Sequence, residues 1–187
     1  MSVSTVTDLL SVLTIIAQAM IIGLIGIFIY RVIIKKTNRF FDWLSDQGLL
    51  FGWIVALVAT LGSLYLSEIA LFAPCKLCWF QRIFMYPQVI ILGIALFKRQ
   101  KPAALYGIVL SAIGSLFSAY HYYIQVLSPR LAPCSVNDPV SCTEKAVIHY
   151  GYITIPLMCL TAFILIILFL AGVYRRQNEN SPLADIP

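Results

Sequence analysis

An all-α membrane protein is the fold class this sequence predicts, on three observations. Of 187 residues, 60% are hydrophobic and only 11% charged, against about 25% charged in a soluble domain. Apolar runs of about 20 residues, enough to cross a bilayer as a helix, recur along the chain. Mean hydropathy is +0.90. The sequence pI near 9.0 does not indicate nucleic acid, because the basic residues sit in short segments between apolar runs, where they act as topology signals.

The first span is expected over residues 9–30. No Lys or Arg precedes it, and a signal peptide needs a charged n-region, so Ala17-Gln18-Ala19 is not expected to be a cleavage site and the helix is expected to be retained. Residues 40–47 are amphipathic and expected at the cytoplasmic interface. The second span, 49–72, carries Glu68 near its outer end and stops before Pro74, which forces Ala73 into extended geometry. The third covers 75–97. The fourth covers 104–123 and ends in Tyr120, Tyr122 and Tyr123, an interfacial aromatic cluster. A hydrophilic loop over 126–149 leads to the last span, 150–174. The segments assigned inside hold Arg31, Lys35, Lys36, Arg39, Lys98, Arg99, Lys101, Arg175 and Arg176, nine of the thirteen basic residues. The positive-inside rule therefore gives five spans, N-terminus out and C-terminus in. Both loop cysteine pairs then fall on the outer face.

Cys75 and Cys78 form a CxxC where a polar turn meets the third span. If the helix starts there, Cys78 sits in its first turn, where unpaired N–H groups and the helix dipole favour a thiolate. A thiolate is the species that attacks disulfides. Alone, the pair is equally half of a zinc site or a structural disulfide. Cys134 and Cys142, on the same face in a turn-rich loop, favour redox chemistry, since disulfides are the default in an extracytoplasmic compartment. Four cysteines can still make a tetrahedral zinc site, which remains the alternative: a metal-binding sensor or transporter. Cys159, within the last span, reads as an inert packing residue.

Arg82 follows Cys78 by four residues and shares its helix face. An arginine this deep usually serves function. It is read as a cation stabilising the Cys78 thiolate and charge growing on an electron acceptor, in preference to snorkelling outward. His121 and Gln125, four apart, share a face at the outer end of the fourth span. They either present donors to a carbonyl at the membrane edge or face water. Glu68 either pairs with Arg82 or caps the outer surface, and His149 is expected to face solvent.

Thiol–disulfide exchange moves two electrons between pairs through mixed disulfides. A loop pair suits a soluble protein partner, and a membrane-edge pair backed by a cation suits a lipid-soluble oxidant. Quinones fit that second role. The residues carrying these features, Cys75-Lys-Leu-Cys78-Trp-Phe-Gln-Arg82-Ile-Phe-Met-Tyr86-Pro87, His121-Tyr-Tyr-Ile-Gln125 and Gly151-Tyr-Ile-Thr-Ile-Pro156, resemble the DsbB/BdbC disulfide bond formation proteins over about residues 48–174. The DsbA–DsbB–quinone route is an established means of keeping a compartment oxidising.

The resemblance implies a four-helix transmembrane bundle over 48–174. An additional N-terminal transmembrane helix and cytoplasmic linker, 1–47, precede it, and a polar cytoplasmic tail, 175–187, follows. It implies a thiol:quinone oxidoreductase in the bacterial plasma or inner membrane, with its cysteines on the extracytoplasmic face. The partner would be a thioredoxin-fold thiol oxidase of DsbA/BdbD type, and the acceptor a membrane quinone, ubiquinone or menaquinone; no resident metal is implied. By position, Cys134 takes the mixed disulfide with the partner, Cys142 exchanges with Cys75, and Cys78 engages the quinone. Arg82, His121 and Gln125 correspond to the residues around the quinone head group. Cys134 and Cys142 are closer in sequence than in the enterobacterial proteins, which puts in doubt the membrane-associated helix of their partner-docking loop. Residues 1–47 lie outside the resemblance.

Overall fold

The computed structural model describes residues 3–34, 39–98, 102–127, 142 and 147–180, without the side chains of 31–34, 39–42 and 178–180. Five helices account for nearly all of them: α1 Val3–Ile34, α2 Arg39–Leu64, α3 Lys76–Phe97, α4 Ala103–Val126 and α5 Ile155–Asn180. Each contains a stretch long and apolar enough to cross a membrane. Hydrocarbon offers no water to backbone N–H and C=O groups, so an apolar run must satisfy them within itself, as a helix does.

The element boundaries depart from expectation in three places. Residues 40–47 do not stand apart from the second span, because α2 begins at Arg39 and runs unbroken into it. Its first turns are already committed to packing: Ser45 is buried against Gly172, and Asp46 pairs with Arg176 at 3.0 Å. At its other end α2 widens into a π-helical turn, Tyr65–Ile69. The chain then reverses through Leu71 in the left-handed region (φ 57°), so this helix ends slightly earlier than Pro74 alone suggests. Finally, α5 starts at Ile155 rather than near residue 150. His149 and Ile153 exchange both backbone hydrogen bonds at 3.0 Å across a tight turn, with Tyr150 and Gly151 at φ 52° and 80°. Glycine takes that conformation without steric cost.

Helices α2 to α5 form a ring in which each packs on its chain neighbour and α2 closes on α5; α1 leans on α5 from outside. The core between them includes Leu49, Met85, Leu92, Phe163, Ile166 and Leu170. Along α4, with Ile124 buried beside them, the buried positions include Ala104, Gly107, Ser111, Gly114, Ser118, His121 and Gln125. They are three and four residues apart and therefore share one face. Small residues on such a face let helix backbones approach closely in a membrane: Leu170 fills the space over Gly107, and the Phe163 ring lies on Gly114. Helix α3 is tied in from two sides. The Ser111 hydroxyl donates to Gln88 Oε1 at 3.0 Å, and Trp53 Nε1 of α2 donates to the Val89 carbonyl at 3.0 Å.

Gly114→Val should therefore destabilise the bundle, because its Cβ would overlap the Phe163 ring and overpacking costs about 1–3 kcal/mol. Gly23→Val in α1, with nothing within 4 Å of a Cβ there, should leave stability nearly unchanged. Thermal unfolding of both variants in one detergent checks this; equal midpoints would contradict the packing described.

Candidate functional site

Helix α3 starts where Cys75 takes up extended backbone geometry (φ −73°, ψ 172°) as its N-cap, and the Trp79 N–H donates to the Cys75 carbonyl at 3.2 Å. Cys78 thus lies in the first turn, as the spacing predicts. Both are free thiols, with sulfurs 3.1 Å apart. The seam of α4 brings His121 over this pair, its Nε2 3.7 Å from Cys75 Sγ and 3.1 Å from the Cys142 carbonyl oxygen. The other ring nitrogen, Nδ1, faces Gln81 Nε2 at 3.0 Å. An amide nitrogen only donates, so Nδ1 accepts and the ring proton resides on Nε2. It is aimed at the Cys142 carbonyl and the Cys75 sulfur.

These contacts favour the charged form of Cys75 in the reduced pair. The hydrogen bond from Cys78 holds the Cys75 thiol well below its ordinary range; burial opposes this, and His121 adds to it. The sequence argument assigned the favoured thiolate to Cys78, from the helix dipole and Arg82. Here the lowered thiol is Cys75, chiefly through its hydrogen bond with Cys78, and His121, arriving from another helix, adds to the effect. Arg82 is anchored to α2: Nε donates to Ser63 Oγ at 3.1 Å and Nη2 to the Ser63 carbonyl at 3.3 Å, with the guanidinium 5.4 Å from the Trp79 ring centroid. Glu68 instead accepts the Ser67 hydroxyl at 3.0 Å, so the Arg82–Glu68 pair is not formed.

Cys75, Cys78, Arg82, His121, Gln125 and Cys142 all line one cavity of about 670 Å³. Cys142 is disulfide-bonded and buried in a small cluster with Cys75, Leu77 and Ile124. Cys134 lies outside the described residues. Cys159 is a free thiol that packs against the core, as expected, and also borders the cavity from α5. His149 does not simply face solvent: its Nδ1 lies 3.2 Å from Asp8 Oδ1 of α1.

Two contributors escaped the sequence reading. Gln81 orients His121, and its signal was present: a polar side chain within an apolar span one residue before Arg82. Ser63, which anchors Arg82 and accepts the Tyr86 hydroxyl at 3.2 Å, has no distinguishing sequence context. In chemical terms, the site offers a dithiol with one stabilised thiolate, a fixed imidazole N–H, a guanidinium, and an apolar chamber adjoining all three. The sulfurs of Cys75 and Cys78 and a ring nitrogen of His121 also lie within 4.8 Å of one another, close enough to ligate a metal ion.

A lowered thiol pKa leaves thiolate present below the ordinary range of about 8.5. Alkylation of Cys75 by iodoacetamide in the reduced protein should therefore reach full rate well below that pH, and fall off only under acidic conditions. His121→Ala should move the profile upward. Mass mapping of the Cys75 peptide across the pH series measures both, and a wild-type profile rising near the ordinary thiol range would contradict the geometry.

The family model for "Disulfide bond formation protein DsbB" matches residues 45–173. Disulfide bond formation protein C of Bacillus subtilis is 46% identical over 129 residues, 68% of this chain and 92% of that protein. A probable disulfide formation protein C of Halalkalibacterium halodurans is 45% identical over 132 residues, 70% of this chain and 96% of its own length. A probable disulfide formation protein of Coxiella burnetii is 39% identical over 142 residues, 75% and 96% of the two chains. No solved structure matches the chain.

Proposed function

The chain belongs to the DsbB family of disulfide bond formation proteins, and from that premise we propose that it takes electrons from an extracytoplasmic DsbA/BdbD-type thiol oxidase and passes them to a membrane quinone. The observation that carries this reading is the convergence of Cys75, Cys78, Arg82, His121, Gln125 and Cys142 on one cavity. The working unit is the bundle over 48–174, set in the bacterial plasma membrane with its cysteines outward, an orientation supported by the distribution of Lys and Arg.

A thiolate of the reduced partner attacks Cys134 of a Cys134–Cys142 disulfide, forming a mixed disulfide and releasing Cys142. The partner's second thiol resolves that bond and leaves oxidised, having given up two electrons. Cys142 then attacks Cys75 of an oxidised Cys75–Cys78 pair and expels Cys78 as thiolate. Cys134 closes back on Cys142, leaving Cys75 and Cys78 reduced.

A bound quinone supplies a sink for two electrons and two protons. The cavity suits one, with hydrogen-bond donors at its outer end and apolar walls elsewhere. Arg82 and Gln125 would hold and polarise the ring carbonyls, and His121 Nε2–H would steady negative charge on sulfur or oxygen. The pair's electrons depart as Cys75 and Cys78 rejoin.

The donor cluster of Cys75, Cys78 and His121 favours a second reading, binding of a soft metal such as zinc. The four-cysteine form of that reading is not assembled here, since the Cys142 sulfur is in a disulfide. Metal analysis separates the two: stoichiometric zinc, with Cys75 and Cys78 protected from alkylation until chelation, would replace the redox proposal.

Mixing a reduced thioredoxin-fold oxidase, quinone and this protein, and following quinone absorbance, tests the main reading. Cys78→Ser should abolish quinone reduction. Cys142→Ser, which removes the loop disulfide that the reduced partner attacks, should stop oxidation of the partner, and partner oxidation at the wild-type rate would contradict the role assigned to the loop cysteines. Arg82→Ala should weaken quinone use while leaving partner exchange intact.

A further inference from the structure

We propose that α1 forms a wall of the acceptor cavity and holds the hydrocarbon chain of the quinone between itself, α2 and α5. This rests on the quinone reading above and assigns a part to a helix outside the family-matched residues 45–173.

The size of the cavity is the first argument. A single benzene-sized ring is accommodated by about 150 Å³, and this cavity is about 670 Å³. Its shape is the second. The lining on α2 runs from Leu66 to Phe51, fifteen residues or ~22 Å of helix at ~1.5 Å per residue. Dithiol, guanidinium and imidazole all lie toward the Leu66 end, and the lining toward Phe51 and Phe169 is apolar. A polar ring with a long apolar chain matches that gradient, whereas a compact polar oxidant leaves most of the chamber unfilled.

The third argument is what closes the chamber. Leu10, Leu13, Thr14, Ala17 and Met20 of α1 line it, covering ~15 Å of its length. Helix α1 is fixed for this role along one narrow seam. Thr7, Ser11 and Thr14 are buried, and each hydroxyl donates to a carbonyl of its own helix, as Ser11 Oγ does to Thr7 at 2.8 Å. Small side chains with satisfied hydroxyls permit close helix contact in a bilayer. Leu10 packs over Gly62 of α2. Asp8 meets His149, the Tyr152 hydroxyl donates to Gln18 Oε1 at 3.1 Å, and Arg175 lies 5.2 Å from the Phe28 ring centroid. Contacts near both ends of α1 therefore hold the helix across the chamber. Its remaining surface is exposed, as at Ile22, 73% accessible.

The test uses full-length protein in lipid nanodiscs and quinones of one ring type, with either a methyl group or a long isoprenoid chain. Ala17→Trp should fill the chain region and raise KM for the long-chain quinone at least tenfold, leaving the methyl analogue and formation of the partner adduct unchanged. Ile22→Trp, facing outward, should match wild type. Equal effects of Ala17→Trp on both quinones, or no effect on either, would overturn the inference while the functional reading stands. Failure of wild-type protein to reduce any quinone would overturn both. Photolabelling of the wild-type protein with a quinone bearing a diazirine at its chain end is independent of any variant's folding. Label within residues 10–20 is expected, and label confined to α2 and α5 would overturn the wall.

Discussion

How closely α4 can lie against α5 governs the end of this bundle that carries Cys75 and Cys78. Apolar side chains gain nothing by leaving lipid for protein, so association in a bilayer depends on surface fit and a few polar ties. Gly107, Ser111, Gly114 and Ser118 supply the fit, and the Ser111–Gln88 hydrogen bond supplies a tie to α3. One and two turns further along the same stripe come His121 and Gln125. The packing seam and the chemical site are thus one continuous surface, and an error in the helix register below would displace the imidazole from the thiols.

Polar groups at the site are expensive to bury, and the His121 ring is matched at both nitrogens. Leaving one buried donor or acceptor unmade costs about 1–3 kcal/mol, and in surroundings of low dielectric a satisfied network gains strength for the same reason. His121 has Gln81 on one nitrogen and the Cys142 carbonyl on the other, so its ring is fixed in orientation as well as in tautomer. Because that second contact is to backbone, it senses where the residue-142 segment lies, whichever oxidation state its sulfur is in.

Much of the fold could be read along the chain because a bilayer reduces the problem to one dimension. Hydropathy located the five helices, and proline and the polar turn located the start of α3 at Cys75. The misplaced boundaries, at residues 40–47 and 150–154, lie where interfacial polarity fits a helix, a turn or a surface segment equally well, and packing against α5 decides. At the site, Cys75, Cys78, Arg82, His121 and Gln125 were legible as chemistry-bearing residues in apolar surroundings. Their pairings were not, since helix-face arguments relate only residues on the same helix. The approach of His121 to Cys75 and the anchoring of Arg82 by Ser63 both cross between helices. The docking face of α1 was equally hidden, because Thr7, Ser11 and Thr14 look like ordinary weakly polar members of a long apolar run.

The turn before α5 has a kinetic corollary. Val147 is buried, and His149 and Ile153 clasp each other through two backbone hydrogen bonds, so the chain is anchored five residues after Cys142 (147 − 142). Five extended residues reach no further than ~17 Å. In the proposed cycle, a Cys142 thiol on so short a leash would meet the Cys75–Cys78 pair at an effective concentration on the order of millimolar, far above that of any freely diffusing protein thiol. Electron transfer inside the chain would then outrun capture of the loop by a competitor, and arrival of the next reduced partner would set the pace.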